Sequence, residues 1–156
     1  MPNTYLQAAC LGVIAGMRSM GVPALVSDRL VRTPSAPLEA SPLRWLGTAR
    51  TAGVFKLLAA GEIVGDKLPK TPPRTAPALL LARLLSGGLS GAALCLAAGK
   101  PSVTGAAVGA LGALAGTFAF YHLRRSLDRA TGLPDPLIAV AEDALAYGGG
   151  WFVLQP

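Results

Sequence analysis

Apolar residues fall in five stretches along the chain, at about 5–26, 49–68, 76–98, 103–123 and 136–154, with short polar or proline-rich segments between them. At the helical rise of 1.5 Å per residue, about 20 residues cross a hydrocarbon core of about 30 Å. This pattern predicts an all-α membrane protein, a single integral membrane domain over 1–156. Its bundle should contain about five transmembrane helices, some of them short or broken.

The stretches are not equally regular. The first runs from about 5 to 17 and continues unevenly past Arg18 to 26, with Gly21 and Pro23 set to break or kink it. The next segment is polar, rich in Pro and Ser around 33–37, and reads as a loop or an interfacial stretch. The second stretch is only marginally apolar: it holds Arg50 and Lys56, then Glu62, Asp66 and Lys67. Such a helix needs shelter from lipid, by neighbours or by a cavity. Arg83 interrupts the third stretch, whereas the fourth is free of acids and of Lys or Arg. Trp45, Trp151, Tyr121 and Tyr147 fall near segment ends, where amphipathic rings favour the interface.

Composition supports the membrane class. Hydrophobic residues make up 52% of the chain and charged ones 14%, well below the quarter common in soluble domains. The mean hydropathy is +0.50. The net charge of +6 sits in short segments between apolar runs, which suits headgroup contact rather than nucleic acid. Membrane lipids are therefore the expected partners. The N-terminus has no basic region before its apolar stretch, so that stretch reads as a retained helix rather than a cleaved signal.

An internal repeat is suggested. LGVIAG at 11–16 matches LGALAG at 111–116, Asp28-Arg29 matches Asp128-Arg129, and LLAAGEIVGD at 57–66 resembles LIAVAEDALA at 137–146. The second alignment sets Glu62 against Glu142. Units 5–70 and 103–154, linked by the helix 76–98, would then have opposite orientations, as in inverted-repeat transporters. With five crossings, the N-terminal side carries Lys67, Lys70, Arg74, Arg124, Arg125 and Arg129, and the other side carries Arg29, Arg32, Arg44, Arg50 and Lys100. That near balance leaves the orientation open.

The candidate chemistry is acidic. Ionisable groups at membrane depth are costly and mark ion, proton or substrate paths. Glu62 and Asp66 lie one turn apart on one helix face, and Asp143 points about 100° away from Glu142. Together with Arg18 these form the expected transport or ion-binding site. Arg18 could pair with Glu62 or Glu142, or bind an anionic headgroup; the competing reading makes the same acids a static ion-pair network. Gly12 and Gly16, with Gly105, Gly109, Gly112 and Gly116, recur at helical spacing and predict close helix crossings. Cys10 and Cys95 read as small buried residues, and the single His122 as interfacial. No hydrolase triad, phosphate loop or metal-ligand motif is present, and no cofactor is implied.

Three stretches carry a family likeness: AGMRSM at 15–20, GEIVGDKLPKTPPRTAP at 61–77, and GTFAFYHLRR with PDPLIAVAEDALA at 116–125 and 134–146. Together they resemble the small bacterial membrane proteins grouped as domain of unknown function 4126. The resemblance covers most of the chain apart from the Pro-rich loop, and its most specific part falls on Gly61, Glu62, Asp66, Lys67 and Pro69. It implies a multi-pass protein of the bacterial inner membrane and brings no activity with it.

The sequence thus points to a small transporter or channel, most simply for a cation or proton. A chain this short has little interior of its own, so a homo-oligomer, in the simplest case a dimer, is expected. A lipid-binding or structural membrane protein is the first alternative. The second, less favoured, is a membrane enzyme acting on a lipid or isoprenoid.

Overall fold

The computed structural model describes residues 3–65, 76–131 and 135–155. Among them every regular element is helical: α1 (Thr4–Ala15), α2 (Gly21–Arg32), the short α3 (Ala36–Glu39), a 3-10 turn (Arg44–Gly47), α4 (Ala49–Gly65), α5 (Pro77–Ala97), α6 (Ser102–Thr131) and α7 (Asp135–Val153). Two helical stretches are long and apolar enough to cross a membrane, Pro77–Ala97 and Ser102–Leu127. The side chains of 128–137 are outside the described set.

The first apolar stretch does not cross the bundle. It folds into a hairpin of two short helices, α1 and α2. Gln7, early in α1, donates to the carbonyl of Val153 at 2.9 Å, and Arg29, late in α2, donates to the carbonyl of Leu154. The start of α1 and the end of α2 therefore meet the same end of α7. The residues between the helices lie deep: Arg18 pairs with Asp143, ten residues before Val153 on α7. Ten residues of helix correspond to about 15 Å, half the thickness of a hydrocarbon core.

Local chemistry explains the reversal. The last turn of α1 tightens as Met17 N–H bonds the Ile14 carbonyl at 2.9 Å and Arg18 N–H shares it at 3.0 Å. The α2 ladder restarts with Ala24 N–H on the Met20 carbonyl. Pro23 sits in the first turn of α2, where its missing N–H costs nothing. The break thus falls at 16–20, ahead of Gly21 and Pro23.

Glycine lets the hairpin seat against the bundle. Gly12 faces Gly109 and Gly112 of α6, and Gly16 faces Ala113, Gly116 and Thr117. A β-carbon on Gly112 would come within 2.5 Å of the Ala9 carbonyl, and one on Gly116 within 2.8 Å of Val13 Cα. A β-carbon on Gly87 of α5 would meet the same Gly109 carbonyl that Gly12 faces, at 2.6 Å. α1, α5 and α6 therefore meet as a close trio around the Gly109 carbonyl. α4 runs antiparallel to α2: Lys56 meets Asp28 near one end, and Glu62 meets Met20 near the other.

Polarity runs from inside to outside. Arg18, Ser19, Ser27, Arg83, Ser86, Ser90 and Thr117 are buried. Leu57, Val64, Leu81, Leu85, Val103, Leu111, Trp151 and Phe152 are exposed.

Three expectations differ from this structure. The chain past 26, expected as a loop or interfacial stretch, stays helical to Arg32 in α2. The first stretch turns back, so Asn3 and Lys100 lie at the same end of the bundle, where five crossings would have put them at opposite ends. The two halves of the sequence repeat also fold differently. LGVIAG ends α1 at a break, whereas LGALAG lies within the continuous α6. The cause lies in the residues C-terminal to each stretch. Met17 to Met20 leaves the helix at the hairpin, while Thr117 continues it and bonds its hydroxyl to the Ala113 carbonyl at 2.8 Å.

Candidate functional site

The deepest polar cluster forms around the hairpin tip, residues 16–21. The first N–H groups of any helix lack partners within it. Met20, the N-cap of α2, supplies no capping side chain. Glu62 of α4 does so from outside. One carboxylate oxygen accepts from the backbone N–H and the hydroxyl of Ser19, both at 2.8 Å, and the other accepts from the Met20 N–H at 2.8 Å. A negative group there also meets the partial positive charge at the start of α2. α4 can deliver this carboxylate because Ala52 and Ala59 are small and bury against the bundle.

Arg18, only 1% exposed, reaches α7. Its Nε lies 2.6 Å from Asp143 Oδ1. α5 contributes Ser86, whose hydroxyl donates to the Ser19 carbonyl. Arg83, one turn earlier on the same helix, is 5% exposed. α6 contributes Thr117, whose hydroxyl lies 3.5 Å from the Gly16 carbonyl. The Tyr147 ring packs against Gly21, and a β-carbon there would meet Tyr147 Cε1 at 3.2 Å. Tyr147 lies within electrostatic reach of Glu62, Arg18 and Asp143, and its buried hydroxyl has no hydrogen-bond partner among the described residues.

The structure thus brings Glu62, Arg18 and Asp143 around one turn of backbone. Glu142, adjacent to Asp143, points to another neighbour: its Oε2 lies 3.4 Å from Arg124 Nη1 on α6. The expected pairing of Arg18 with Glu62 or Glu142 is corrected, since Arg18 takes Asp143. The expected pair of acids is also separated in its bonding, Glu62 to the tip and Glu142 to Arg124. On a helix, consecutive residues point about 100° apart, so only one of Glu142 and Asp143 can face the hairpin. Asp66 lies outside the described residues.

Sequence reasoning misses four members of the cluster, Ser19, Ser86, Thr117 and Tyr147. Ser19 and Ser86 carry no signal of their own in a Gly- and Ala-rich chain, although Arg83, Ser86 and Ser90 trace one face of α5. The place of Tyr147 near a segment end predicts an interfacial ring, yet it sits beside the hairpin tip. Among the described residues no three or more His, Cys, Asp or Glu side chains group as a metal site.

The chain matches no family model, no curated protein and no solved structure.

Proposed function

We propose that the chain is a small membrane transporter or channel in which the buried hairpin tip is the working element. A proton, or a cation that exchanges with one, is its simplest ligand. In this reading α4 to α7 span the bilayer and α1–α2 re-enters it from one side. The bacterial inner membrane, assembly as a homo-oligomer and membership of the family the sequence resembles belong to the same proposal.

The observation that carries it is the triple hydrogen bond from the tip to Glu62. An ionised carboxylate offers acceptors only. Adding a proton turns one oxygen into a donor and weakens the bonds it accepts from Ser19 or Met20. A proton on Glu62 therefore loosens the tip, and a loosened tip opens the buried polar cluster beside it. Broken helices with backbone exposed at membrane depth are tolerated only where they are buried in protein or line a cavity, and transporters use them as ion sites. The apolar exterior around a polar interior fits a lipid surrounding.

Flux in proteoliposomes tests this reading. Wild-type protein should conduct protons, or protons with sodium, potassium or a divalent cation, and Glu62→Gln should abolish that flux without unfolding the protein. Absence of flux for every ion would discard it.

One observation favours the second reading, a structural or lipid-binding membrane protein. Glu62, Glu142 and Asp143 are each engaged by a protein group. That reading requires joint neutralisation of Arg18 and Asp143 to leave cellular function intact.

A further inference from the structure

At the end of the bundle opposite the hairpin tip lies a cavity of about 900 Å³, formed where α1 starts and where α2, α5 and α7 end. It is separate from the Glu62 cluster. Arg29 and Lys100 stand in its lining, with the hydroxyl-bearing Thr4 and Thr33 and the apolar Leu30 and Leu94. Among the described residues the lining holds no acid.

Both cations are held in place and keep donors to spare. Lys100 Nζ bonds Thr4 Oγ1 at 2.9 Å and lies 5.2 Å from the centre of the Tyr5 ring. An ammonium has three donors, so among the described residues two remain. Arg29 donates to the Leu154 carbonyl, which uses one of five guanidinium donors. Ser35, also in the lining, has a buried hydroxyl without a hydrogen-bond partner among the described residues. The cavity lies at the α5–α6 turn, the level at which headgroups sit if those two helices cross a bilayer.

We propose that this cavity binds a phosphate group, with Arg29 and Lys100 as its charged clamp. Two cations, the Thr4 and Ser35 hydroxyls and, among the described residues, no opposing carboxylate select a compact oxyanion. Leu30, Leu94 and Ala97 give the same cavity an apolar wall that would take the chain of a phosphate-bearing lipid. The occupant is a lipid phosphate or a free one, and the chemistry of the clamp is the same for both.

Calorimetric titration of the purified full chain in an uncharged detergent tests the proposal, with dihexanoyl phosphatidic acid and inorganic phosphate as separate probes. Wild type should bind at least one probe saturably. Lys100→Gln should weaken that binding about tenfold or more, the scale of a lost charge-assisted bond. Lys100→Arg should restore most of it, and Lys56→Gln, outside the cavity, should change nothing. Arg29→Gln should act as Lys100→Gln does; should its loss of the Leu154 contact unfold the chain, the Lys100 pair carries the test. Clearly tighter binding of the lipid assigns a lipid phosphate, and equal binding of both probes assigns free phosphate. No saturable binding of either, or binding untouched by Lys100→Gln, overturns the site.

Discussion

Ser19 presents both its backbone N–H and its hydroxyl to a single oxygen of Glu62, each at 2.8 Å, across 43 residues of sequence. The bond ties α4 to a turn that has no capping side chain of its own. Glu62→Gln keeps one acceptor oxygen and replaces the other with an amide donor that faces the Met20 N–H. Hydrogen bonds to charged groups contribute about 1.5–3 kcal/mol, and the variant should lose a similar amount. Thermal unfolding in detergent, with hydrogen exchange at Ser19 and Met20, reads it. Unchanged exchange at both amides would contradict the capping role.

The Arg18–Asp143 pair should behave as a buried ion pair. Asp143→Asn removes the Asp143 charge from the buried guanidinium and should destabilise by about 3 kcal/mol. The double variant Arg18→Met with Asp143→Leu should be less destabilised than the sum of its parts, because neither charge is then stranded. A double-mutant cycle on thermal stability measures this, and strictly additive effects would refute the coupling.

Glycine substitutions should divide by helix face. Gly112→Val drives a side chain into the Ala9 carbonyl and should cost about 1–3 kcal/mol or more. Gly53→Ala on α4, where nothing lies within 4 Å of an added β-carbon, should be neutral or stabilise by about 0.5–1 kcal/mol. Parallel unfolding curves decide it; equal losses at both sites would mean that α1 and α6 are not in close contact.

Topology gives a sharper test. Single cysteines at Asn3 and Lys100, in a background without Cys10 and Cys95, should react with an impermeant thiol reagent from the same side of a sealed vesicle. Labelling from opposite sides would restore the five-crossing arrangement and remove the hairpin.

Tyr147→Phe removes a hydroxyl that has no hydrogen-bond partner among the described residues. Its stability should change by less than about 1 kcal/mol, the ordinary worth of a made hydrogen bond. A larger loss would show that the hydroxyl is bonded within the tip cluster.

The helical segments are legible in the sequence because their apolar length and their proline and glycine boundaries act locally. α4, α5 and α7 begin within a residue or so of the expected segments. Glu62, Arg18 and Asp143 stand out for a similar reason: charge within an apolar run is costly wherever it lies. Their partners are not legible. Matching LGxxAG stretches end a helix in one place and continue it in another, because Gly16 leads into a turn whose N–H groups find Glu62, and Gly116 lies within a helix packed closely on α1. Sequence by itself determined most of the helical segments, though not that α2 runs on to Arg32, and it determined which positions carry buried charge and where backbones can approach closely. Only the tertiary structure decided that the first stretch turns back, that Arg18 takes Asp143, and that Arg29 and Lys100 share a cavity. Those outcomes depend on contacts between residues dozens of positions apart, and no local pattern encodes which helix packs beside which.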